Sequence, residues 1–262
     1  MKQMFRWFCT LAGIAGCALA MVGAAHATTP ITVKVGAYEY GVVYFFEDKN
    51  PTGFAFEMVS ALNAIQSTYY FELVETSSRR RYSDLASGMF DMLLLESPDW
   101  GWRDQNVVYS NQIVTEHDLY VARRKDIPGA GWFNDVTKHT ILGVLGFHYG
   151  FANFKADPDY LNAHFNMSLL YNEQQVLDKL LAGDGDVAVL SAGFLARAFQ
   201  RRPELSNQIF MGPKQVSSSH LLSVMSYDSA ISVADYNALI NILHIQGNLA
   251  EIWRKLHGDL LG

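Results

Sequence analysis

Two stretches 95 residues apart share one plan. "LASGMFDMLLLES" runs from a helix end through Gly88 and Asp91 into an apolar strand. "LAGDGDVAVLSA" does the same through Gly183 and Asp186. A glycine closing a helix, an aspartate three residues on, and a strand apolar enough to be buried on both faces form the joint of an open, mostly parallel sheet. Its recurrence predicts two similar α/β lobes. The intervening elements agree. "ITVKVGAY" and "YYFELVE" read as strands, and Phe54 to Ile65 as a helix with Met58, Val59, Leu62 and Ile65 on one side. "EDKNPTG" is a turn, and Tyr82 to Phe90 a short helix. In the second half "TILGVLG" is a strand entering a glycine loop. Asn172 to Ala182 is an amphipathic helix with Val176, Leu177, Leu180 and Leu181 inward and Asn172 with Gln175 as its capping pair. The tail predicts two helices meeting at Gln246–Gly247.

The N-terminal residues predict export out of the cytoplasm. Lys2 and Arg6 precede an apolar stretch from Phe8 to about Ala25, and "AHA" ends at Ala27. This is the pattern of a cleaved secretory signal peptide over 1–27. A second exit, "IAGC" ending at Cys17, resembles a lipoprotein box; the apolar residues that follow Cys17 favour cleavage over a lipid tether. Cleavage removes two basic residues and no acids, taking the formal net charge from −6 to −8, and removes both cysteines, Cys9 and Cys17. The mature chain therefore has no thiol chemistry and no disulfide. Its acidity, and the lack of any basic run longer than Arg79–Arg81, argue against a nucleic-acid partner.

Six segments occur in the order found in the family 3 extracellular solute-binding proteins of bacteria, the periplasmic receptors of amino-acid-type ABC importers: "FFEDKNPTGFAFEMVSALN", "YSDLASGMFDMLL", "RDQNVVYSNQI", "TILGVLGFHYG", "LDKLLAGDGDVAVL" and "INILHIQGNLAEIWRKLHG". Together they span nearly all of 31–258, and the chain resembles that family. The resemblance implies a type II periplasmic-binding-protein fold. Lobe 1 would comprise 28–121 and 218–262, and lobe 2 would comprise 122–217, with a ligand held between them. It further implies a monomer with no cofactor, partnered by an inner-membrane ABC permease.

The same alignment nominates site residues. Arg103 falls where the family places the arginine that grips a ligand carboxylate, a task suited to a bidentate guanidinium. Glu96, Ser97 and Pro98 stand where small hydroxyl residues usually follow the buried strand. His148 and Tyr149 replace the usual Thr or Ser after the lobe 2 glycine turn, whose backbone N–H groups would open a helix around Gly150. Ser191 takes the place of the aspartate that pairs with a ligand ammonium, so either Glu96 assumes that role or the ligand is not an ordinary α-amino acid. Aromatic residues are dense near the expected cleft: Tyr40, Tyr44, Phe45, Trp100, Trp102, Phe147 and Tyr149. About half are expected in packing, with Tyr40, Tyr44 or Trp100 stacking on a flat or cationic part of the ligand. Arg79 and Arg80 are either additional anion contacts or a solvated basic turn.

No nucleophile elbow, zinc-binding His pair or P-loop occurs, and the chain reads as a receptor. The enzymatic alternative is a cyclohexadienyl-dehydratase-like protein with Glu96 or Asp99 as general acid beside Arg103. A third reading is an accessory or sensory binding protein without a transporter.

Overall fold

The computed structural model describes residues 29–258 apart from position 130. The expected signal peptide over 1–27, with Cys9 and Cys17, lies outside the described residues.

In chain order the first half comprises β1 (Ile31–Ala37), β2 (Phe45–Glu47), β3 (Asn50–Thr52), α1 (Phe54–Ala64), β4 (Tyr69–Glu75), α2 (Arg81–Ala86), β5 (Met92–Glu96), β6 (Val107–Tyr109) and β7 (Val114–Arg123). The second half comprises β8 (Ile141–Val144), α3 (Pro158–Phe165), β9 (Met167–Leu170), α4 (Glu173–Ala182), β10 (Val187–Ser191), α5 (Ala192–Arg201), α6 (Leu205–Gln208) and β11 (Ile209–Ser226). The tail forms α7 (Val233–Ile245) and α8 (Asn248–His257).

The main sheet runs β4-β1-β5-β11-β7-β10-β8-β9. Its two ends are parallel β-α-β units: β1 lies between β4 and β5, and β8 between β9 and β10. The long antiparallel strands β7 and β11 join these halves, pairing from Arg123 with Ile209 to Val114 with Leu221. Each half has its own apolar core. Lobe 1 packs Val33, Val35, Met58, Leu62, Phe71 and Leu93 with the tail residues Tyr236, Ile240 and Leu249. Lobe 2 packs Leu142, Val176, Leu177, Leu180, Leu190 and Phe194.

The repeated joint has a structural cause. Asp91 takes the backbone N–H of Lys34 on its carboxylate at 2.7 Å and donates its own N–H to the Lys34 carbonyl at 2.8 Å. Asp186 does the same to Thr140, at 2.9 Å in both directions. Each aspartate thus stitches its strand to the first strand of its lobe. The preceding glycines, Gly88 at φ 74° and Gly183 at φ 94°, turn the helix end in the left-handed region that a Cβ disfavours. The capping pair is also present: Asn172 accepts from Gln175 N–H at 2.9 Å, while the Gln175 side chain reaches back to Tyr171 N–H at 3.2 Å.

The expected turn after Phe46 is the tip of a hairpin, β2 with β3, with Asp48 and Lys49 both at positive φ. The helix expected around Gly150 is only a three-residue 3-10 turn, Gly150–Ala152. It is too short to align the N–H groups of an anion-binding helix.

Candidate functional site

The two lobes meet face to face, and the residues at their seam come from loops at the C-terminal ends of the strands, where open α/β sheets place ligands. Tyr38 and Tyr40 follow β1, Arg81 opens α2, Trp100 follows β5, and Phe147 and His148 follow β8. These six line a cavity of about 10 Å³, no larger than a single water molecule. Tyr40 makes edge contacts to Trp100 at 5.6 Å and to Phe147 at 5.4 Å between centroids, and Tyr38 meets Phe147 at 6.4 Å. The aromatic groups of lobe 1 therefore pack directly on those of lobe 2. The indole N–H of Trp100, a residue only 6 % exposed, has no partner among the described residues.

Behind this lining lies a buried ion pair. The carboxylate of Glu96 is 3.2 Å from Arg81 Nε, both side chains are essentially inaccessible, and Trp102 Nε1 donates to Glu96 at 2.6 Å. Burial pushes the Glu96 carboxyl up, while the Arg81 charge and the Trp102 N–H pull it back. Glu96 is aimed by a bulge: Leu94 and Leu95 of β5 face the single residue Ser223 of β11, and Leu95 sits at φ 56°, a strained position for a branched side chain. Arg81 also donates to Ser78 O, to Gly146 O in lobe 2 at 3.2 Å, and to the Tyr82 hydroxyl at 2.8 Å.

His148 is held from both ring nitrogens. Nδ1 lies 2.5 Å from the carbonyl of Phe154, which can only accept, so Nδ1 carries the proton. Nε2 lies 2.8 Å from the Tyr82 hydroxyl. Burial, followed by the Arg81 charge, pushes the imidazole down to about 4, so it is neutral near pH 7. Tyr82 thus has one proton for two acceptors, His148 Nε2 and the Trp100 carbonyl at 2.7 Å. Toward the rim, His148 also lines an open hollow of about 370 Å³ between the lobes, bounded by Ser78, Arg79, Tyr82, Gly146 and Pro158.

A second buried group lies beyond Tyr40. Glu173, the first residue of α4, accepts from Ser191 N–H at 2.8 Å and Ser191 Oγ at 2.7 Å on one oxygen. Its other oxygen accepts from Gly41 N–H in lobe 1 at 2.7 Å. The carboxylate absent at position 191 is thus supplied by a residue 18 positions earlier, and a backbone amide of the opposite lobe is docked on it. Gly41, at φ 49°, comes so close that a Cβ would lie 2.9 Å from Ser191 Oγ. Asp118, on β7, accepts from Ser217 Oγ at 2.6 Å and is pushed up to about 7, first by burial and less by Glu116 and Glu173.

The nominated residues divide clearly. Tyr40, Trp100, Phe147 and His148 come together at the seam. Arg103 does not: its side chain is 68 % exposed and pairs with Asp99 at 2.7 Å. The turns over 98–104 send Trp100 and Trp102 inward, and the guanidinium next to them is left to water. Glu96 faces Arg81 and Trp102 rather than the cavity. Ser97 is buried in the turn, where its hydroxyl accepts from Asp99 N–H at 3.3 Å. Tyr44 points away, donating to Glu75 at 3.0 Å and stacking on Phe56. Tyr149 is a core residue of lobe 2 whose hydroxyl accepts from Val144 N–H at 2.6 Å. Phe45 packs under Arg197, and Arg79 and Arg80 are exposed. Ser191 caps α5, accepting from Phe194 N–H at 3.2 Å.

Sequence reasoning missed Tyr38, Arg81, Asp118 and Glu173. Two of these carried a visible signal. Arg81 is the third member of the "RRR" run and the first residue of α2, buried where Arg79 and Arg80 are exposed. Glu173 follows the Asn172 cap, where a carboxylate is favoured by the helix N-terminus.

Solved structures with this architecture are numerous. The chain overlays an ABC uptake transporter substrate binding protein from Streptococcus pneumoniae with bound histidine, with TM-score 0.68 and 17% identity, covering 87% of this chain and 92% of that one. The fold is that of the two-lobed periplasmic binding proteins. A histidine kinase sensor domain with similarity to periplasmic binding proteins overlays with TM-score 0.70 and 19% identity, covering 88% and 97%. An ancestral amino-acid-binding protein, precursor of cyclohexadienyl dehydratase, gives TM-score 0.65 and 16% identity over 86% and 95%. No protein-family model and no curated protein sequence matches the chain.

Proposed function

We propose that this chain is an exported solute-binding protein that captures a small molecule between its lobes and hands it to an ABC permease of the inner membrane. The lobes divide as 28–121 with 218–262, and 122–217, with β7 and β11 as the hinge. The observation that carries this reading is the seam itself. Aromatic and hydrogen-bonding groups from both lobes converge on one small, buried cavity at the strand C-termini, so a ligand there touches both lobes and biases their closure. The substrate-binding protein from Streptococcus pneumoniae supports the transport role. A receptor is favoured over an enzyme because both candidate acids are committed, Glu96 to Arg81 and Asp99 to Arg103. A carboxylate grip at Arg103 is not part of the proposal, since that side chain faces solvent.

The test is a thermal-shift screen of the purified protein, stripped of carried-over ligand, against L-amino acids, opines, polyamines, dicarboxylates and aromatic acids and amides. A ligand at a hundred times its dissociation constant stabilises the fold by about 2.7 kcal/mol. A hit that is lost in Tyr40→Ala, and whose uptake by cells needs an ABC permease, supports the whole reading. A folded protein that responds to nothing overturns it, and a hit taken up without a permease overturns the transport role alone.

A further inference from the structure

Which molecule fits the seam is constrained by what the seam offers, and the inference below rests on the solute-binding reading. Five of the six residues lining the cavity are rings, Tyr38, Tyr40 and Trp100 from one lobe and Phe147 and His148 from the other; the sixth is Arg81. Parting the lobes exposes these rings to water, and a flat ring re-covers both sides while separating the lobes by little more than one ring thickness, about 3.5 Å. Two polar groups remain underused. The Trp100 indole N–H, buried and without a partner among the described residues, requires an acceptor. His148 Nε2 has a single lone pair and competes with the Trp100 carbonyl for the one Tyr82 proton; when that proton turns to the carbonyl, the lone pair is open to a ligand N–H.

Charge narrows the class further. Arg81 is already balanced by Glu96, leaving no free cation in the lining. Beyond Tyr40 stand Glu116, Asp118 and Glu173; His257 bonds Glu116 at 3.0 Å, and Arg197 lies near Glu173. A ligand carboxylate would therefore find no unpaired cation among the lining residues. Neither Arg103 nor Glu173 is placed to anchor a free α-amino acid. Arg103 points outward, and both oxygens of Glu173 are occupied.

We infer that the cleft takes an uncharged planar aromatic or heteroaromatic ring bearing a neighbouring acceptor and donor, as in a primary carboxamide, with the carbonyl on Trp100 N–H and the amide N–H on His148 Nε2.

Isothermal titration of the purified protein with nicotinamide, indole-3-carboxamide, nicotinate, cyclohexanecarboxamide, L-arginine and L-glutamate tests this. The expected order places the two aromatic amides at least tenfold tighter than nicotinate and than the non-planar cyclohexane amide. Trp100→Phe keeps the ring, removes the donor and weakens the aromatic amides about fivefold. Tighter binding of nicotinate or of either amino acid, unaffected by Trp100→Phe, overturns the inference while leaving the solute-binding reading intact. Failure of all six overturns the inference; the wider screen described above then decides the solute-binding reading separately.

Discussion

Glu173 offers a direct test of how the lobes are held together. Its carboxylate serves opposite lobes with its two oxygens, Ser191 on its own side and Gly41 N–H across the seam. Both sides present donors, so the bridge needs an acceptor at each end. Glu173→Gln preserves length and shape but offers one oxygen and one NH2. In either orientation of the amide a backbone N–H, of Gly41 or of Ser191, then confronts another donor. Ser191 Oγ can rotate to accept from the amide, whereas a backbone N–H cannot, so the loss falls on one of the two backbone bonds. A hydrogen bond to a charged acceptor contributes about 1.5–3 kcal/mol. If the Gly41 bond is the one released, the closed-to-open ratio falls by about 10- to 150-fold. Hydrogen exchange at the Gly41 amide reads this change, and small-angle scattering reports the accompanying increase in radius. The Ser78–Leu145 and Arg81–Gly146 contacts remain on the other side of the cavity, so the variant opens more often without unfolding. Unchanged exchange at Gly41 together with an unchanged scattering profile would refute the bridge as a contributor to closure.

Arg81→Met leaves Glu96 buried without its cation and is expected to cost about 3–5 kcal/mol in chemical denaturation, whereas Arg81→Met combined with Glu96→Leu recovers most of that loss. Equal destabilisation by the single and the double variant would show that the charges are not coupled. Asp118, with its carboxyl pushed up to about 7, holds a proton in the folded state that the unfolded chain releases near 4, so its contribution to stability is lost as pH rises between those values. Asp118→Asn should gain on the natural protein by about 4 kcal/mol between pH 4 and pH 8; parallel stability curves would contradict the buried-acid assignment. Arg103→Ala, removing an exposed side chain paired with Asp99, should leave melting temperature and ligand affinity unchanged. Loss of binding in that variant would place Arg103 back in the site.

The sequence alone determined the local joints. Gly88 and Gly183 had to be small because the helix ends turn through positive φ, and Asp91 and Asp186 bond strands that the alternating pattern already implied. Period and turn chemistry act over a few residues, so strands, helices and the two-lobed order were readable without coordinates. Aromatic density near the seam was readable too: of the aromatic residues named from the sequence, Tyr40, Trp100 and Phe147 line the cavity, while Tyr44, Phe45 and Tyr149 pack elsewhere. Which charges face inward was not. Arg81 and Arg103 are both arginines in turn-rich segments, yet one is buried against Glu96 15 residues away and the other is solvated. Ser191 looked like a lost carboxylate until α4 brought Glu173 onto it. A buried charge settles where three-dimensional proximity supplies donors to replace its lost water, and only the packing of the two lobes decides where those donors are.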